Sequence, residues 1–125
     1  CVAMAKQFAD RTHFVHLRSC YIFPNGNFTE ASHLGGRGHL IDLCRIFEKA
    51  EQEGKCNSGR RLPMRVDHGM TFTDEPGGVF DESNHGHNAG YTLLGRMFAM
   101  GQIQGVIATV DDELGIKYKQ PGFYD

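Results

Sequence analysis

Apolar residues at Val2, Ala5, Phe8 and Ala9 recur at three- and four-residue steps, the period of a helix face, and Asp10-Arg11 closes that segment. The next run, "HFVHLRS" at residues 13–19, is aromatic and β-branched at its start and polar at its end, which predicts a strand whose exit carries functional groups. Turn chemistry follows in Phe23-Pro24-Asn25-Gly26-Asn27. Then come "FTEASHL" at 28–34 and Gly35-Gly36-Arg37-Gly38, predicting a long loop with a flexible end. From 39 to 53, Leu40, Leu43, Cys44 and Phe47 form an apolar stripe, with Glu48, Lys49, Glu51 and Gln52 on the wet side and Gly54 as the stop. Residues 62–66 predict a second strand that runs into Asp67-His68-Gly69, and 73–88 form a Gly-, Asp- and Asn-rich excursion. From Gly90 on, Leu94, Met97, Phe98, Gly101 and Gly105 step at helical spacing to about Val110, the glycines suggesting close packing, and a polar tail follows.

Strands alternating with helices imply parallel pairing through right-handed crossovers, an α/β architecture. Two strands alone cannot bury both faces of a sheet. The pattern therefore asks for further strands, from a longer chain or from an assembly. With Cys1 falling inside the first helical pattern, the 125 residues read as a piece of a larger domain.

Composition narrows the partners. With 40% apolar and 22% charged residues the chain can build a core and stay hydrated, and a formal net charge of −2 offers no basic footprint for nucleic acid or for a membrane surface. No uninterrupted run of about 18 apolar residues is present. Cys1, Cys20, Cys44 and Cys56 make no CxxC pair, a usage expected of a reduced, cytoplasmic protein.

In parallel α/β folds, functional side chains collect at the carboxyl ends of strands. The first strand supplies His16 and Arg18 and, past the turn, Glu30 and His33; the second supplies Arg65, Asp67 and His68. Imidazole nitrogen with carboxylate oxygen suits Mn²⁺, Fe²⁺ or Zn²⁺, and a neighbouring histidine can move a proton. Each residue also has a plain structural role open to it. Asp67 can cap a turn with His68 exposed, His33 can sit in a solvated loop, and Tyr91 can pack with its hydroxyl outward. His16 is expected to be packed in the core, and Cys44 to fill the helix stripe. His85-Gly86-His87 resembles a chelate but falls in the glycine-rich excursion.

Together the segments "HFVHLRS", "FTEASHL", "PMRVDHGM", "AGYTLLGR" and "GQIQG" resemble, in order, the signature segments of bacterial D-mannonate dehydratases. The resemblance spans nearly the whole chain. It implies the C-terminal part of a xylose-isomerase-like TIM (β/α)8 barrel, about strands 7–8 with their helices, the N-terminal two thirds lying outside these residues. It implies a hydro-lyase of hexuronate (glucuronate) breakdown that converts D-mannonate to 2-keto-3-deoxy-D-gluconate with Mn²⁺ or Fe²⁺. The partner is a small sugar acid, and the complete enzyme is expected to be a homo-oligomer. Residue by residue, His33 and Asp67 match two of the family's metal ligands, and its other histidine and cysteine ligands have no counterpart here. His68 and Tyr91 match the proton-handling pair, Tyr91 favoured as base and His68 as acid, and Arg18 and Arg65 match contacts to substrate. Val66 and Ala89 stand where the family usually has proline, and residues 75–88 are longer than the family's connection. Two alternatives accompany this reading: a catalytically inactive interaction piece, and a metal-dependent sugar isomerase on the same barrel.

Overall fold

The α2 helix, Leu40–Gln52, forms where the apolar stripe is cleanest. Leu40, Cys44 and Phe47 are buried along one face, with Leu43 and Ile46 partly so. Gly54 takes the left-handed conformation (φ +66°) that ends the helix, while the Lys55 amide donates back to the Ala50 carbonyl. These elements come from a computed structural model that describes residues 1–68 and 93–117. In order they are α1 (Val2–Phe8) with a 3₁₀ turn (Ala9–Arg11), β1 (Val15–Leu17), β2 (Cys20–Ile22), β3 (Phe28–Glu30), α2, a second 3₁₀ turn (Asn57–Gly59), β4 (Met64–Val66) and α3 (Leu93–Leu114). The chain is α/β, as its alternation of elements predicts.

β1 and β4 pair in parallel, with Val15 opposite Met64, His16 opposite Arg65 and Leu17 opposite Val66. Their carboxyl ends therefore open at the same edge. Val15 and Leu17 point into the core and His16 points out, the alternation that a half-buried strand imposes. His16 is thus an exposed side chain and not the packed core histidine expected from the sequence.

Where a long loop is expected, the chain builds an antiparallel hairpin. β2 and β3 pair Cys20 with Glu30, Tyr21 with Thr29 and Ile22 with Phe28. The connection closes through the Phe23 amide on the Asn27 carbonyl and the Gly26 amide on the Phe23 carbonyl. Three-residue strands give too short an alternation to stand out from a turn-rich sequence.

α3 packs most extensively on α2 and also reaches β4. It buries Ala99, Ile103, Val106 and Val110, and continues four residues beyond the expected Val110 end to include Asp111, which is itself buried. Its length and mean hydropathy are enough for a bilayer span, a property the search for an uninterrupted apolar run does not reveal. Gly101 and Gly105 do not mediate close packing: a Cβ on either would meet nothing within 4 Å. They line an open groove of about 500 Å³ between α2 and α3, with Leu34 and Ile41 on its other side.

Candidate active site at the strand ends

The two strands deliver their polar exits to one backbone atom. The carbonyl of Leu17, the last residue of β1, accepts the Asp67 amide at 3.0 Å and the Nε2–H of His33 at 2.8 Å. A carbonyl oxygen has two lone pairs, and both are used here. The bond fixes the His33 tautomer: Nε2 carries the proton, so Nδ1 presents a lone pair. His33 is only 2% exposed, and its Nδ1 is buried with no hydrogen-bond partner. A buried, pre-oriented imidazole nitrogen whose other nitrogen is held by a backbone carbonyl is the arrangement found at metal-ligating histidines.

The Asp67 carboxylate projects beside this point. Its Oδ1 lies 3.5 Å from His16 Nδ1, and its Oδ2 lies 3.7 Å from His68 Nε2. His68 is buried, and its Nδ1 approaches Glu30 Oε1 at 3.7 Å. Arg18 grips Glu30 with a two-pronged contact, Nε to Oε2 at 3.2 Å and Nη2 to Oε1, and lays its guanidinium over the Phe28 ring at 5.5 Å. The Glu30 hydrogen bond raises the Arg18 pKa above its ordinary value. Arg18, expected to meet substrate, is thus turned toward Glu30. It holds that carboxylate beside His68 through a fork geometry that lysine could not supply.

Arg65 stands across from His16 on the exposed side of the β1–β4 pair and donates from Nε to the Val66 carbonyl at 3.3 Å. Tyr91, His85 and His87 lie outside the described residues. Among the described residues no three His, Cys, Asp or Glu side chains gather closely enough to form a complete ligand set. By donor type His33 and Asp67 fit the nitrogen and oxygen part of one: the buried Nδ1 has no hydrogen-bond partner, and the Asp67 carboxylate is partly exposed at the same strand edge.

The segment behind His33 is pinned. Buried Ser19 donates through Oγ to the Gly35 carbonyl at 2.5 Å and accepts the Gly38 amide at 3.1 Å. A Cβ at Gly36 would stand 2.6 Å from the Cys20 carbonyl oxygen, and one at Gly38 would stand 2.8 Å from the Ser19 Cβ. These glycines therefore permit close approach, in place of the flexibility their sequence suggests. Glu30, singled out by its place past the first strand, supports the site through Arg18 and His68; Ser19 and Gln102, which accepts from the His33 amide at 2.8 Å, are supporting residues to which sequence spacing assigns no role.

Parallel strands whose common edge carries imidazoles and carboxylates define an α/β protein with a polar site at its strand ends. The chain belongs to the D-mannonate dehydratase family, whose model (UxuA) matches residues 1–117. It is 36% identical over 115 residues to "Mannonate dehydratase 2" of Agrobacterium fabrum, covering 90% of this chain and 27% of the relative. It is 34% identical over 112 residues to the mannonate dehydratase of Saccharophagus degradans, covering 88% and 27%, and 30% identical over 106 residues to that of Chromohalobacter salexigens, covering 84% and 25%. The chain spans about a quarter of the length of these curated relatives.

Proposed function

We propose that these residues form the strand-seven and strand-eight sector of a TIM-barrel dehydratase that removes water from D-mannonate to give 2-keto-3-deoxy-D-gluconate. The observation that carries this reading is the convergence of His33 and Asp67 on the Leu17 carbonyl, within a chain that matches the family over residues 1–117. Both strands ending at one edge agree with a barrel mouth. The described residues offer two ligands, and this reading takes the others from elsewhere in the complete protein, without which the 125 residues are expected to be inactive. The four free thiols fit a reducing cytoplasm.

His33 and Asp67 would hold a divalent ion, Mn²⁺ or Fe²⁺. When bound, that ion supplies Lewis-acid stabilisation of negative charge developing on a sugar acid. The rest is done by side chains. Removing a proton from the carbon beside a carboxylate and expelling hydroxide from its neighbour needs a base and an acid on opposite duties. His68, buried at the end of β4, is placed to protonate the leaving hydroxyl, while Glu30 and Asp67 flank its two nitrogens and restrict its ring. Tyr91 serves as the base. Arg65, on the exposed face at the same strand end, meets the substrate's carboxylate or hydroxyls, and Arg18 contributes Nη1, the one guanidinium nitrogen outside its fork on Glu30.

The test is D-mannonate turnover by the complete enzyme that carries these residues, read as the 2-keto-3-deoxy product, compared with a ketose assayed for aldose formation. His68→Gln is expected to lower kcat by about 10²–10⁴ while Mn²⁺ still binds. Isomerisation of the ketose with no dehydration would overturn the assignment.

A further inference from the structure

We propose that Gln102, on the last helix, is a positioning residue for the metal-ligating ring of His33; this rests on the function proposed above. His33 lies between β3 and α2, where no ladder or helix supplies acceptors for its main chain. Gln102 supplies one from 69 residues away. Its Oε1 accepts the His33 amide at 2.8 Å and lies 3.4 Å from the Leu34 amide. The ring of the same residue is held separately, through Nε2–H on the Leu17 carbonyl. Backbone amide and ring are thus held by two unrelated elements, α3 and β1, and Nδ1 is the side-chain nitrogen of His33 without a hydrogen-bond partner.

Either anchor alone leaves freedom. With only the Leu17 contact, the chain at His33 could slide while the ring pivoted about Nε2, and Nδ1 would sweep through an arc. With only the Gln102 contact, the ring could rotate about its side-chain torsions. Two anchors reduce both motions, and metal affinity depends on ligand orientation as well as on ligand identity. The role needs an acceptor of glutamine's reach, so glutamate should serve and methionine, of similar length with no carbonyl oxygen, should not.

The experiment uses the complete enzyme that carries these residues, and Mn²⁺ alone. Calorimetric titration of Gln102→Met is expected to show Mn²⁺ binding weaker by about tenfold or more, with a thermal midpoint close to that of the wild type, and Gln102→Glu is expected to restore affinity to within about threefold. In the metal-free protein, hydrogen exchange at the His33 and Leu34 amides should be slow in the wild type and in Gln102→Glu, and about tenfold faster in Gln102→Met. Unchanged affinity and unchanged exchange in a folded Gln102→Met variant would overturn the inference. Should that variant not fold, the wild type decides: a His33 amide exchanging at the rate of an open chain overturns the proposal, and a protected one together with normal Mn²⁺ binding in Gln102→Glu supports it. A folded wild type that binds no Mn²⁺ would instead overturn the metal reading itself, which separates the two failures.

Discussion

Among the described residues carboxylates gather in two places with opposite surroundings. At the strand ends, the half-buried Glu30 and Asp67 face cations and imidazoles: the Arg18 fork on Glu30, His16 beside Asp67, and His68 beside both. At the helix interface, buried Glu48 of α2 meets buried Asp111 of α3, acid against acid. There burial first, and then the Asp111 charge, push the Glu48 pKa from 4.5 to about 7, with Glu51 adding to the rise and Arg61 opposing it. Asp111 is also raised, by burial, and its Oδ1 has no hydrogen-bond partner. The first cluster sets each carboxylate against a cation or an imidazole. The second survives by holding a proton of its own. A site for chemistry and a weak spot in the packing are thus told apart by the sign of the neighbours and by burial, which is deeper at the helix interface.

The contrast is tested most severely at the strand ends. His33→Ala or Asp67→Asn should weaken Mn²⁺ binding by about 100-fold or more and remove turnover, while circular dichroism and the thermal midpoint stay near those of the wild type. Dehydration at the normal rate by Asp67→Asn would dissolve the distinction between the two regions. Phe47→Ala should do the reverse. It empties a 94%-buried position in the α2 stripe and is expected to cost about 3–5 kcal/mol of stability by denaturant unfolding, with activity per folded molecule preserved. The smallest effect concerns pH. Because the folded-state pKa of Glu48 is raised, its stabilising contribution is complete below the ordinary carboxyl pKa and is lost as pH rises through about 7. Unfolding free energy should therefore fall between pH 5 and pH 8 by an amount on the order of 2 kcal/mol. Glu48→Gln, permanently neutral and able to donate to Asp111, should flatten that slope; a slope equally steep in the variant would locate the pH dependence elsewhere.

The α2 helix was readable in advance because 13 residues give several turns of one stripe and a glycine stop. The parallel pairing of β1 and β4 was readable from element order alone. The β2–β3 hairpin was not, since three-residue strands owe their stability to a partner and carry little pattern of their own. The end of α3 was missed for a different reason. Asp111-Asp112 looks like the start of a polar tail, and only the facing Glu48 shows why one of those acids is inside. At the site, residue types at strand exits pointed to His33, Asp67 and His68, and the structure brings the two imidazoles and the Asp67 carboxylate to the carboxyl edge of the same strand pair. Arg18's engagement with Glu30 and the hold of Gln102 on His33 depend on contacts across 12 and 69 residues, which no local pattern encodes.

Because one peptide oxygen, that of Leu17, suspends both the imidazole and the chain bearing the acid, the two are mounted on a common pivot. A breathing motion of the first strand would therefore pull on two attachments at once, so a disturbance at Leu17 reaches the histidine loop and the exit of the fourth strand together.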